Sequence, residues 1–319
     1  MSPDFVSKAL APVSSRPSCD RRLALRLLGV LTLGLLAVAL LDTYALKLVA
    51  RVYAVWISVV GLQLLVAHSG VMSLGHAAFV AIGAYVAGVL SLAGGHTLWT
   101  FLAALLVAGA GAGLLIGVAV LRTQGLYQLM ATLAFGQMTY YGLQSQRSLG
   151  GDDGFALVVR PSLLPGWSID VDRAYGAAVV VLGCASAALV ARLRASELGA
   201  RMQAGRDDER RLSSLGVNAF NVKLVAFVVS SALAGLSGGL LAQLSRFASP
   251  QLSHWFYSGE LLVLVLLSGG SSPLGALLAC AALVVLQELL AQYTEHWALA
   301  LGLLVLARVL FFQRREGRR

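Results

Sequence analysis

RLRASELGARMQAGRDDERRLSSLGVNAFNVK, residues 192–223, is a polar island in an otherwise apolar chain. It carries seven Lys/Arg (Arg192, Arg194, Arg201, Arg206, Arg210, Arg211 and Lys223) against four acids (Glu197, Asp207, Asp208 and Glu209), and long apolar runs flank it on both sides. Such a segment is a loop between membrane helices, and its basic excess places it in the cytoplasm. The rest of the chain fits that reading. With 58% hydrophobic and 12% charged residues and a mean hydropathy of +0.80, too little polar surface exists to coat a soluble globule. The expected fold class is all-α: a polytopic integral membrane protein of about eight to ten transmembrane helices at roughly 20 residues each. The apolar runs are continuous and rich in Leu, Ala and Val, which excludes a β-barrel, whose strands alternate.

The net charge of +9 is informative once located. Residues 1–26 hold five basic and two acidic residues, the island seven and four, and residues 313–319 four and one; elsewhere the two signs balance. A nucleic-acid binder gathers its charge in one patch, whereas here it sits on three segments separated by spans. Both termini are therefore expected in the cytoplasm, with 1–26 and 313–319 as basic tails and 27–312 as the membrane domain, interrupted by 192–223. The loop 146–173 carries four acids and three arginines, which suits the opposite side. The three cysteines, Cys19, Cys184 and Cys280, have no metal or redox spacing.

Ten spans are expected, at about 27–41, 44–66, 76–92, 98–121, 126–143, 174–191, 224–244, a short run 261–267, 274–290 and 297–312. Small residues mark close-packing faces: Ala77 to Gly88 on the third span, Ala108, Gly111, Ala112 and Gly117 on the fourth, and SALAGLSGG, residues 231–239, on the seventh. Two apolar runs are broken by Gly and Ser, LLVAHSGVMSLG at 64–75 and VLLSGGSSPLG at 265–275. In transporters this pattern can mark inverted repeats around a midplane site.

Within the island, Leu198 with Met202 and Leu212 with Leu215 make two apolar pairs, split at Gly205. Gly216 suits a left-handed helix end and Asn218 a cap for the next helix. On residue types alone the island is either a solvated loop or a helix lying in a partner's groove. GDDGF, residues 151–155, has no further acid or His nearby to complete a metal or catalytic site, and reads as a turn whose Asp side chains bond local backbone. His76 lacks an acidic partner within a turn and reads as a hydrogen-bonded packing residue. Glu260 and Glu288 are membrane-adjacent acids, Glu260 placed where it could reach water. No GxxxxGK[ST] phosphate loop occurs, so the chain does not bind ATP by that route. No catalytic residue, metal ligand or cofactor is expected.

Several of these motifs, in this order, carry a resemblance. GLQLLVAHSGVMSLGHAAFVAIGAYVAG (61–88), TLAFGQM, GGDDGF, the stretch 198–227, SALAGLSGGL and GELLVLVLLSGGSSPLGALL resemble the LivM/LivH-type permeases, the membrane subunits of ABC importers for branched-chain and other hydrophobic amino acids. The likeness covers about residues 50–290 and is nearer the LivM half. It implies that the island is a coupling loop where cytoplasmic ATP-binding subunits dock, with Gly199, Ala204, Arg206, Asp207, Glu209, Leu215 and Gly216 on motif positions and departures at Gly205, Arg211 and Leu212. It further implies a second, LivH-like permease, a periplasmic or extracellular substrate-binding protein, and a bacterial inner-membrane location. On that reading the translocation path runs along the broken segments. Its candidates are Gln63, Ser69, Gly70, Ser73, Gly75 and His76 at the first break and Gly269, Gly270 and Ser271 at the second. Urea, amides or sugars remain as substrates. An ion-driven single-chain transporter would need buried ionisable pairs, and a membrane enzyme clustered His/Asp/Glu; the five histidines are spread along the chain.

Overall fold

Continuous apolar runs can cross a bilayer only by satisfying every backbone group internally, which makes them helices. The computed structural model describes residues 17–94, 97–157, 160–164, 167–168, 172–269, 272–291 and 302. The tail 1–16, the expected tenth span apart from residue 302, the tail 313–319, and Gly270 and Ser271 lie outside the described residues. The helices are α1 (Pro17–Leu40), α2 (Thr43–Gln63), α3 (His76–Ala93), α4 (Leu98–Val120), α5 (Leu126–Ser145), α6 (Asp172–Ala195), α7 (Glu197–Asp207), α8 (Glu209–Ser214), α9 (Ala219–Ser245), α10 (Trp255–Leu267) and α11 (Pro273–Ala291). The chain is an all-α polytopic membrane protein. Among the described residues, six helices are long and apolar enough to cross a bilayer: α2 with its extension to His68, α3, α4, α6, α9 and α11. In α1 only Ala24–Leu40 is apolar, and α10 has 13 residues. Although 20 residues long, α5 is diluted by Gln128, Gln137 and Gln144 and is not among the six.

The core is built around α9 and α2. From Val52 to Leu65 every residue of α2 and its extension is buried, as expected of a helix that is apolar all round. One flank of α9 takes α2, and the other takes α3 and α4. Small residues permit this crowding. A Cβ on Gly83 would fall on the carbonyl oxygen of Gly235, and one on Gly238 would fall on that of Val80. The faces read from Ala77 to Gly88 and from 231–239 are these contacts. On α4 the packing face is Gly109, Gly113 and Gly117, against Val228, Ser231 and Phe227 of α9. The expected face held Gly117 and Ala112, which packs against the core, but it left out Gly109 and Gly113, and Gly111 is exposed with nothing within 4 Å of an added Cβ. Fourfold spacing in a run crowded with Gly and Ala can be read in two phases, and only the neighbouring helix chooses.

At the end of the body away from the island, short strands close the loops. Phe155–Ala156 pairs antiparallel with Phe247–Ala248, and Ser162–Leu164 with Trp167–Ser168. Phe155 seats its ring on Gly88 and edge-on to Tyr85, 5.5 Å between centroids. Arg160 pairs with Asp172 at 2.8 Å and lies over the Tyr175 ring. In the GDDGF turn, Asp152 accepts from the Gln144 side chain at 2.8 Å, where a bond to local backbone was expected.

The island forms two helices. Met202 and Leu212 are buried and Leu215 is 72% exposed, so the expected pairing of Leu212 with Leu215 does not form. Gly205 does not split the island; it is buried inside α7, within 3.1 Å of Leu212 for an added Cβ. The split is at Asp208, whose carboxylate accepts from the backbone of Arg210 and Arg211, both at 3.1 Å. Asp208→Ala is expected to cost α8 about 1 kcal/mol, read as faster hydrogen exchange at those two amides with α9 unchanged. Gly216 adopts φ +80° and Asn218 caps α9 through Phe220, both as expected.

Candidate functional site

At its island end α2 does not stop as an α-helix. Leu64–His68 form a π turn, and residues 69–75 follow as non-helical chain before α3 begins at His76. That beginning lies inside the body, level with Ser230, which is well along the 27-residue α9. Irregular backbone at such depth must be satisfied by protein groups. Thr132 of α5 accepts from Leu74 N–H at 3.0 Å, and Ser258 of α10 accepts from Ala77 N–H at 2.9 Å. Gly75 has no side chain to cap α3, so Ser258 serves one of the amides that the helix start leaves open. Gly75 also admits Thr132 so closely that a Cβ would meet its carbonyl.

The second break lies at the end of α10. Gly269 turns the chain at φ +74°, and α11 restarts at Pro273. Trp56, wholly buried on α2, donates to the Pro273 carbonyl at 2.8 Å. The two breaks meet at Gln63. Its amide nitrogen donates to Ser268 Oγ and to the Ser272 carbonyl, each at 3.3 Å, and its oxygen accepts from Arg194 at 3.0 Å. One side chain thus joins both broken segments to the last turn of α6. The pairs Trp56–Pro273 and Arg51–Gln287 set α11 antiparallel to α2. Gln63 meets the end of α10, while Arg51 and Tyr257, at its start, share one pocket, so α10 runs parallel to α2. The two broken hairpins therefore run in the same sense, and the inverted relation considered from the sequence does not hold.

The island touches the first break directly. Arg206 donates to the carbonyl of Ala67 in the π turn, and its stem packs on Gly70, where an added Cβ would come within 3.0 Å. The seven motif residues divide by what they touch. Gly199 lies too near the Leu193 and Arg194 carbonyls to carry a side chain, Glu209 pairs with Lys223 at 2.8 Å, and Arg206, though exposed, reaches the Ala67 carbonyl. Gly216 is the left-handed turn, and Ala204, Asp207 and Leu215 are exposed. Among the candidates at the first break, Ser69, Ser73 and His76 are buried, and Ser69 Oγ, Ser73 Oγ and His76 Nδ1 have no hydrogen-bond partner among the described residues. The other ring nitrogen of His76 stands 3.5 Å from Ser230 Oγ, and its ring lies edge-on to Phe79, so it is a packing histidine with one long polar contact. A buried polar atom without a partner costs free energy. All three fall within residues 69–76 and make that break a polar seam inside an otherwise apolar core.

These features meet in a chain whose residues 44–312 match the family described as branched-chain amino acid transport system, permease component. The chain belongs to that family. Among its relatives, the high-affinity branched-chain amino acid transport system permease proteins LivM of Salmonella typhimurium and Escherichia coli are 33% identical over 265 residues, covering 76% of this chain and 62% of theirs. This permease therefore spans less than two thirds of the length of those relatives. LivH of Salmonella typhimurium is 28% identical over 247 residues, 71% of this chain and 79% of that protein. No solved structure matches the permease.

Sequence reasoning reached Gln63 because it is a polar residue at the edge of a Gly/Ser break. It missed Arg194, counted only as one island charge, and the hydroxyls of Thr132 and Ser258, which act from helices remote in sequence. The nearest signals were that Thr132 opens the quoted motif TLAFGQM and that Ser258 is a small polar residue just ahead of the apolar run 261–267.

Proposed function

We propose that this permease is the LivM-like subunit of an ABC importer that moves branched-chain or other hydrophobic amino acids across the bacterial inner membrane. Both termini and the island face the cytoplasm. ATP-binding subunits dock on the exposed face of α7 and α8, around Ala204, Asp207 and Leu215. A second, LivH-like permease completes the path, and a binding protein delivers solute to the other side. Closure of the ATPases moves the island, and the island moves the breaks, so that the path is open to one side in each of two states. Passage follows the seam of Ser69, Ser73 and His76, whose unpartnered groups suit a polar solute head.

The observation that carries this reading is the bond from Arg206 to the Ala67 carbonyl. Through it the segment open to a partner is hydrogen-bonded to the segment open to the path. Two substitutions test it in the reconstituted importer. Leu215→Asp puts a charge at the centre of the docking face and should abolish co-purification of the ATP-binding subunits. Arg206→Ala should leave co-purification intact and lower ATP-driven leucine uptake about tenfold or more, the scale of one charge-assisted hydrogen bond. Unchanged co-purification of the Leu215→Asp protein would refute the docking face. Uptake by the permease alone, without ATPase or nucleotide, would refute the importer.

A further inference from the structure

Away from the seam, at the end of the body opposite the island, α2, α9, α10 and α11 line a half-open pocket of about 640 Å³. Its walls hold two cations, Lys47 and Arg51, and two anions, Glu260 and Glu288, yet neither cation lies within 4.0 Å of either anion among the described residues. Lys47 instead stands 3.8 Å from Asp172, and Glu288 accepts from the Tyr44 hydroxyl. Arg51 and Glu260 are joined through one intermediary, Gln287. The amide oxygen of Gln287 accepts from Arg51 at 3.4 Å, and its nitrogen donates to Glu260 at 2.6 Å. The orientation of that amide is fixed by its neighbours, because a guanidinium can only donate and a carboxylate only accept. Leu48, Val55, Leu241, Leu244 and Val284 form the apolar wall beside it.

A neutral amide between a cation and an anion is a small dipole. Its acceptor end faces the guanidinium and its donor end faces the carboxylate. An α-amino acid head group has the same polarity with full charges: a carboxylate for Arg51 and an ammonium for Glu260. An aliphatic side chain then has the leucine and valine wall to lie against, where burial is favourable. Arg51 uses only this one long hydrogen bond among the described residues and has further donors to give.

We infer that this pocket is a binding site for a zwitterion with an aliphatic tail, with Arg51 taking the anionic group and Glu260 the ammonium, in place of the Gln287 amide. The inference rests on the amino-acid reading above and names a station for that solute before it reaches the seam. The same chemistry could arrive as a free amino acid or as the head of a phosphatidylethanolamine, and the structure assigns the free amino acid, because the apolar wall adjoins the head-group site inside the pocket.

The test is competition against radiolabelled leucine on the full importer in nanodiscs, using three unlabelled probes: leucine, isopentylamine, which keeps only the ammonium, and 4-methylpentanoate, which keeps only the carboxylate. In the wild type all three compete. Arg51→Gln should weaken leucine and 4-methylpentanoate about tenfold or more and leave isopentylamine unchanged. Glu260→Gln should do the reverse for the two half-probes. Opposite selectivity of the two variants cannot come from misfolding, which would weaken both probes alike. Equal loss of both half-probes in either variant, or no change, overturns the site while leucine uptake by the wild type still upholds the importer. Failure of the wild-type assembly to bind or take up any amino acid overturns the importer reading itself. Competition by phosphatidylethanolamine in otherwise phosphatidylcholine discs, with none by leucine, would make the pocket a lipid site and overturn the assignment.

Discussion

Gly238→Leu is expected to abolish the folded permease. The position of its Cβ is already held by the Val80 carbonyl oxygen, a backbone atom of α3 that no rotamer change can move aside. Adding methylenes to a packed core typically costs about 1–3 kcal/mol. Here α3 and α9 would have to part along their length, and the glycines at 83 and 235, which meet just beyond, would part with them. The cost should exceed that range, with loss of the monodisperse species on size exclusion and of cooperative thermal unfolding. Gly111→Leu is the matched control: its Cβ meets nothing within 4 Å, and its unfolding temperature should stay within a few degrees of the wild type. Equal behaviour of the two variants would mean that the α3–α9 contact is not what holds the body together.

Gln63→Leu should leave the body folded and stop transport. Leucine fills a similar volume but offers nothing to Arg194, Ser268 or Ser272, which now share the glutamine amide. Loss of a hydrogen bond to a charged group, here the partly buried Arg194, costs about 1.5–3 kcal/mol, and the two bonds to the second break go with it. ATP-driven uptake is expected to fall more than about tenfold, while co-purification of the ATP-binding subunits is retained, because Ala204, Asp207 and Leu215 lie on another surface. Gln63→Glu offers a sharper version. It keeps the acceptor for Arg194 and loses the donor for Ser268 and Ser272, so its uptake should fall between the wild type and Gln63→Leu. Full activity in Gln63→Leu would show that the two breaks move independently.

The spans were legible where an apolar run is uninterrupted. The expected third, fourth and ninth spans begin within a residue of α3, α4 and α11. The short run at 261–267 was seen only in its second half, because WFYSGE at 255–260 mixes aromatic, polar and acidic residues although it is helical. In the island, Gly216 and Asn218 were read correctly because each has a local conformational reason. The break at Asp208 was missed because an acid among charges gives no sign of which backbone amides it will cap. Of the pocket, only Glu260 and Glu288 stood out in the sequence, as membrane-adjacent acids; Tyr44, Arg51, Glu260 and Gln287 come from three helices, and only folding sets an amide between opposite charges.

The nearness of the starts of α3 and α10 has an electrical consequence. Each helix N-terminus carries a partial positive charge of about half an elementary unit. These two start close together: Ser253, just before α10, bonds the carbonyl of Gly136, which lies beside Gly75 at the head of α3. Positive potential concentrated there would disfavour a small cation relative to a molecule with no net charge. If solute passes here as proposed, the same geometry would let a neutral molecule through while holding back the ions that would otherwise leak with it.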